Sequence, residues 1–137
     1  MVWQDVKQKV LRFAVLKHVR AVDIHWDLLL QIPDRELLAT WQIRLNPQQW
    51  GGISGPVAAV QLPDHRMIYL EYEGEISGGR GNVTRVDCGK MELVRLDDQR
   101  IHFILHGQLV RGTFTIHRVA SDVAGQPAQW LLEAQAA

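Results

Sequence analysis

Apolar residues recur at every second position along most of this chain, and that period points away from helices and toward half-buried strands. Side chains alternate across an extended backbone, so a period of two sends one face into a core and leaves the other wet. Leu11–Leu16, Ile24–Leu30 and Leu37–Leu45 predict the first three strands. Further strands are expected at Met67–Glu73, Asn82–Val86, Met91–Leu96, Arg100–Leu105, Thr113–Val119 and Gln129–Glu133. Pro33-Asp34-Arg35 supplies turn chemistry between the second and third; Gly78-Gly79-Arg80-Gly81, Cys88-Gly89, Asp97-Asp98 and His106-Gly107 punctuate the rest. Helix is expected only at Asp5–Val10 and Pro56–Val60, and Asn46–Pro63 is the one long connection. The expected fold is all-β: a small closed β-barrel of about eight strands with one or two short flanking helices.

A chain of 137 residues fits one domain, expected to span 1–137, and is long enough to bury a core. Fifteen basic residues balance fifteen acidic ones, which argues against a protein that coats long stretches of nucleic acid. It leaves room for a small site that grips one phosphate or one strand end. The single cysteine, Cys88, forms no internal disulfide framework and fits a reducing compartment. Neither a signal-peptide core nor an apolar run of membrane-spanning length is visible, so a cytoplasmic location without membrane contact is expected.

The second strand carries the chemistry. Ile24, Trp26, Leu28 and Leu30 share one face and belong in a core, while His25, Asp27, Leu29 and Gln31 share the other. An imidazole and a carboxylate two positions apart on a strand have Cα atoms about 6.5 Å apart and can reach one cation. His18 ends the preceding strand, and a hairpin would bring it beside His25. Two histidines and an aspartate on a β scaffold suit manganese, iron or zinc, with positions left over for water and substrate. A plain polar strand face is the competing reading, and spacing alone does not decide between them.

The ordered set of motifs does more. His18, His25-Trp26-Asp27 and Leu62-Pro63-Asp64-His65-Arg66-Met67-Ile68-Tyr69-Leu70-Glu71-Tyr72-Glu73-Gly74 resemble the 3′-phosphoesterase domain of bacterial DNA ligase D. Gly78-Gly79-Arg80-Gly81-Asn82-Val83, Asp87-Cys88-Gly89, Leu105-His106-Gly107 and Trp130-Leu131-Leu132 continue the likeness in order. The resemblance implies a small β-barrel that binds manganese, with zinc or another transition metal as the alternative. It implies trimming of 3′ ends of DNA or RNA during DNA repair, by hydrolysis of a terminal phosphoric ester. Carried across, His18, His25 and Asp27 stand where the family has its metal ligands, and His65 and Tyr69 where it contacts the scissile phosphate. A histidine there can pass a proton near neutral pH. The implied partners are nucleic-acid 3′ ends and, acting in trans, a ligase or polymerase.

The chain also departs from the family. The interval from His18 to His25 is one residue longer than usual, so Val19–Asp23 is expected to bulge or His18 to shift. Two phosphate-binding arginines of the family fall on Leu29 and Val57. Losing such charge-assisted clamps weakens phosphate binding. Arg80 is the candidate replacement, with Arg44 as a rim alternative. Arg66, next to His65, is expected on the opposite strand face. The alternative function is therefore a catalytically weakened or inactive module that binds nucleic-acid ends or a partner. A small-ligand barrel with no nucleic-acid role remains as a third reading. His102, His106 and His117, Trp50 in the long connection, and Glu71, Glu73 and Glu75 on one expected strand are read as surface or packing residues.

Overall fold

The computed structural model describes residues 10–51, 55–119, 125 and 129–135. They form nine strands: β1 (Leu11–Arg20), β2 (Asp23–Gln31), β3 (Leu37–Ile43), β4 (Val57–Arg66), β5 (Gly74–Glu75), β6 (Asn82–Leu96), β7 (Arg100–His106), β8 (Arg111–Val119) and β9 (Gln129–Ala134). All pair antiparallel, in the spatial order β1-β2-β3-β4-β9-β8-β7-β6, and β6 pairs back onto β1 to close an eight-stranded barrel. β5 is an extra two-residue strand on the outer flank of β6. Register shifts between Val15 and Leu16, Leu38 and Thr40, and Leu93 and Arg95 supply the local kinks that let a sheet close on itself. The expected barrel of about eight strands is the one observed.

The alternation read from the sequence fills the barrel. Phe13, Val15, Leu28, Leu30, Trp41, Ile43, Phe103, Phe114, Ile116 and Leu132 point inward and are buried. A second cluster lies on the other side of the wall: Ala14, Leu16, Leu29, Leu38, Leu70 and Val83. β1 and β2 are therefore buried on both faces, which is why Leu28-Leu29-Leu30 runs apolar without a break. Each fully buried leucine there stabilises the fold by about 1.5–3 kcal/mol. The outer cover is a short 3-10 helical turn, Met67–Leu70, from which Leu70 packs down and Met67 and Tyr69 lean on the cluster.

That turn corrects one expectation. Met67–Glu73 is not a strand; the strand is β4, which ends at Arg66. Its first residues, Val57–Val60, are not helical either, because Val57 and Ala59 alternate inward and pair with Leu132 and Trp130 of β9. A short apolar run of this kind reads equally as helix or strand until its neighbour is known. β3 stops at Ile43, two residues before the expected end. The long connection shrinks accordingly, and it is organised by a 3-10 turn at Pro47–Gln49 whose preceding Asn46 side chain accepts from the Gln48 amide at 3.0 Å. Trp50 closes it, 2% exposed, with Nε1 donating to the Leu45 carbonyl at 2.8 Å. It packs the loop. The expected helix Asp5–Val10 falls almost wholly outside the described residues.

Asn82–Val86 and Met91–Leu96 are one strand, with Cys88-Gly89 in its middle rather than at a turn. Gly89 permits this: a Cβ there would sit 2.3 Å from the His106 carbonyl of β7. Two residues earlier in β6, the buried Asp87 carboxylate accepts from the amides of Gln108, Leu109 and Val110 at 2.6–3.0 Å, pinning the β7–β8 turn. Among the described residues, no helix is long and apolar enough to cross a membrane.

Candidate metal centre

The β1–β2 hairpin builds the centre. Its ladder runs without a slip from Arg20↔Asp23 back to Phe13↔Leu30, with Ala21 and Val22 as a two-residue turn. Ala21 takes φ +52°, the left-handed conformation such a tight turn requires. His18 then stands directly opposite His25, and Leu16 opposite Asp27. The expected bulge at Val19–Asp23 does not form, because a two-residue loop accommodates the longer interval with both histidines in register. His18, His25 and Asp27 share the outer face of the wall. The two imidazole rings meet edge to face, 4.7 Å between centroids. His25 Nε2 lies 3.2 Å from Asp27 Oδ1, and His18 Nδ1 lies 3.7 Å from Asp27 Oδ2. One donor atom from each of the three residues lies within 4.8 Å of the others.

These groups are poorly satisfied by the protein alone. His25 is 6% exposed and Asp27 2%. Both ring nitrogens of His25 and Oδ1 of Asp27 are buried without an aligned hydrogen bond. Leaving such atoms orphaned costs free energy, and buried polar groups without partners are rare. Two imidazoles and a carboxylate whose ligand atoms converge are a donor set that fits a divalent first-row cation. The Asp27 carboxylate is the chief cause raising the pKa of His25 above the ordinary imidazole value; burial opposes it, and Asp23 adds to it. Arg44, hydrogen-bonded to Asp23 at 2.5 Å, holds that carboxyl below the usual range.

A turn from the other side of the chain completes the cluster. Residues Ser77–Gly81 dock on the end of β1, so that the Arg80 carbonyl accepts from His18 Nε2 at 2.6 Å. Gly81 makes the approach feasible: its φ is +88°, and a Cβ would fall 2.1 Å from the Val19 carbonyl oxygen. The Nδ1 of His18 is left facing Asp27.

His18 and Asp27 open onto a cleft of about 510 Å³ that also takes in His65, Arg66, Tyr69 and Arg80, with Asp64 on its rim and Leu16, Leu62, Ile76 and Val83 as apolar walls. His65 and Tyr69 meet in it, 5.7 Å between ring centroids. They do so because the chain leaves β4 and winds into the 3-10 turn, not because one strand carries both. The same winding brings Arg66 into the cleft, its guanidinium 5.8 Å above the Tyr69 ring, contrary to the expected opposite face. Arg80 braces its own turn, Nε donating to the Ser77 carbonyl at 2.7 Å and Nη2 to Ser77 Oγ at 3.2 Å. Among the described residues, neither Arg66 nor Arg80 is paired with a carboxylate.

Other expectations resolve away from the cleft. Arg44 is engaged with Asp23. Leu29 is 0% exposed beneath the cleft's apolar floor, and Val57 lines the barrel interior, so neither position offers a charge. His106 pairs with Glu92 and His117 with Glu133. Glu71 pairs with Arg12, and Glu73 accepts from the Arg85 amide. Sequence reasoning put Arg66 on the wrong face and missed Asp23. For Asp23 the signal was present: it lies two positions before His25, on the same strand face.

Comparison with known proteins agrees with this architecture. Residues 17–118 match the DNA ligase D 3′-phosphoesterase domain. The chain is 29% identical over 133 residues to the multifunctional non-homologous end joining protein LigD of Pseudomonas aeruginosa. That match covers 90% of this chain and 15% of the relative's length.

Proposed function

The chain belongs to the DNA ligase D 3′-phosphoesterase domain family, and on that footing we propose that it is a metal-dependent phosphoesterase processing 3′ ends of DNA or RNA in end repair. His18, His25 and Asp27 would hold a divalent cation, manganese first and zinc or another transition metal second. One observation supports this most: the ligand atoms of the triad converge, those of His25 and Asp27 Oδ1 without hydrogen-bond partners, at a cleft shared with an imidazole, a phenol and two arginines. The relative's role in non-homologous end joining supports the repair setting. A ligase or polymerase acting in trans would take over the cleaned end.

When bound, a divalent cation at these ligands supplies Lewis-acid charge and lowers the pKa of coordinated water. The chain's own residues do the rest. His65 donates Nδ1–H to the Pro63 carbonyl at 2.9 Å, which fixes the ring and leaves Nε2 for the substrate. Its Nε2 is the atom that would pass a proton to the phosphate or to the leaving oxygen. The Tyr69 hydroxyl donates beside it. Arg80 and Arg66 contribute positive charge where phosphoryl oxygens gain negative charge, standing in for the arginines that Leu29 and Val57 replace.

Burial of Leu29 and Val57 also favours a second reading, a module on the same fold that binds ends but turns them over slowly or not at all. An oligonucleotide bearing a 3′-phosphate, incubated with and without Mn2+, separates the two. Metal-dependent phosphate release abolished by His25→Ala supports the enzyme. Tight binding of the oligonucleotide without release overturns it in favour of the binding module.

A further inference from the structure

Each metal-facing imidazole has a second nitrogen, and what that nitrogen touches decides which tautomer the ring adopts. For His18 the partner is the Arg80 carbonyl, which any side chain at position 80 would preserve. For His25 the nearest acceptor to Nδ1 is Asp23 Oδ2, at 3.5 Å. The Nε2 of the same ring faces Asp27. Asp23 is in turn gripped by Arg44 from the end of β3, through its other oxygen, Oδ1. The carboxylate therefore stands between a guanidinium just past the end of β3 and an imidazole on its own strand, beside the hairpin turn. No acceptor other than Asp23 and Asp27 approaches the buried ring of His25 among the described residues.

We propose that Asp23, clamped by Arg44, is a positioning residue that holds the Nδ1–H tautomer of His25 and so presents the Nε2 lone pair to the cation. The assignment rests on the metal reading above and deepens it. Metal-ligating histidines commonly donate their remaining N–H to a carboxylate, which fixes ring orientation and makes the ligating nitrogen more basic. Without Asp23, the neutral ring is free to place its proton on Nε2, where it hydrogen-bonds Asp27 and blocks both ligands at once. At 3.5 Å the pair stands just outside an aligned hydrogen bond, and the assignment requires it to close. Arg44 contributes by keeping the carboxylate aimed, at a point where it would otherwise swing into solvent.

The test uses Mn2+ alone as probe, titrated into the intact protein by calorimetry, alongside 15N NMR of the histidine rings in the metal-free protein. Asp23→Ala is expected to weaken Mn2+ binding by about 10–100-fold, the range typical for an outer-shell partner. It should also move the His25 ring from the Nδ1–H toward the Nε2–H tautomer. Asp23→Asn retains an acceptor oxygen and should recover most of the affinity and the wild-type tautomer. Arg44→Met should fall between them. If Asp23→Ala folds as judged by circular dichroism, binds Mn2+ as tightly as wild type and keeps the same tautomer, the assignment is overturned while the metal centre stands. If wild-type protein itself ignores Mn2+ and Zn2+, the metal reading fails first and takes this assignment with it.

Discussion

His18 and His25 face one another directly across the β1–β2 ladder, their ring centroids 4.7 Å apart, although seven positions separate them in sequence. A two-residue turn at Ala21-Val22 makes this so, and it aims both imidazoles at Asp27 on the wall's outer face. Unlike the barrel interior, that face is only partly covered, so a buried ligand set sits at the edge of an open cleft.

The first consequence is thermodynamic. A cation that binds only the folded triad stabilises it, by about 2.7 kcal/mol at a hundredfold excess over Kd, or on the order of 10 °C in Tm for a domain this size. Differential scanning fluorimetry with Mn2+ should show the rise in wild type and none in His25→Ala. An equal rise in both would place the cation elsewhere.

The pH dependence of the metal-free protein follows from the raised pKa of His25, caused chiefly by Asp27. Charged His25 beside Asp27 contributes stability that is fully present below the unfolded value of about 6.5. That contribution disappears as pH climbs through the higher native value. In EDTA, Tm should therefore decline above neutrality, and Asp27→Asn should flatten the decline. Mn2+ affinity should run the other way, rising with pH, since ligation requires the neutral imidazole.

Reintroducing the arginine of the family at position 29 should not restore a phosphate clamp. Leu29 is fully buried in the outer cluster with Ala14, Leu16 and Leu38. Leu29→Arg strands a charge there, at an expected cost of several kcal/mol. Urea unfolding gives the value, and a loss of about 0.5 kcal/mol or less, the scale of a surface change, would show that the cleft can admit the side chain.

Gly81→Ala and Arg80→Ala separate backbone from side chain. The added methyl at Gly81 collides with the Val19 carbonyl in a left-handed conformation and should pull the Arg80 carbonyl off His18. Expected are a stability loss of about 1–3 kcal/mol and weaker Mn2+ binding. Arg80→Ala leaves that carbonyl in place and should leave Mn2+ affinity unchanged in the same calorimetric titration.

The two cleft arginines should act on substrate rather than metal. Arg66→Ala and Arg80→Ala each remove a charged donor worth about 1.5–3 kcal/mol, which corresponds to about a tenfold to hundredfold drop in kcat/KM on a 3′-phosphate oligonucleotide. Steady-state assays at saturating Mn2+ measure it. Full activity in the double variant would remove both from the phosphate site.

Alternation alone determined the β class, most of the strands, and the pairing of His25 with Asp27 on one face, because a period of two is a property of neighbouring residues. The β1–β2 hairpin was legible for the same reason: its turn and both its strands are local. What tertiary structure decided depends on partners far along the chain. Val57–Val60 became strand because β9 lies beside it, and Asn82–Leu96 became one strand because Gly89 lets β7 close in. Arg66 entered the cleft when the chain turned at Met67, and Asp23 gained its role when Arg44 reached it from β3. Periodicity reports which face a residue prefers; only packing between distant segments settles what that face meets.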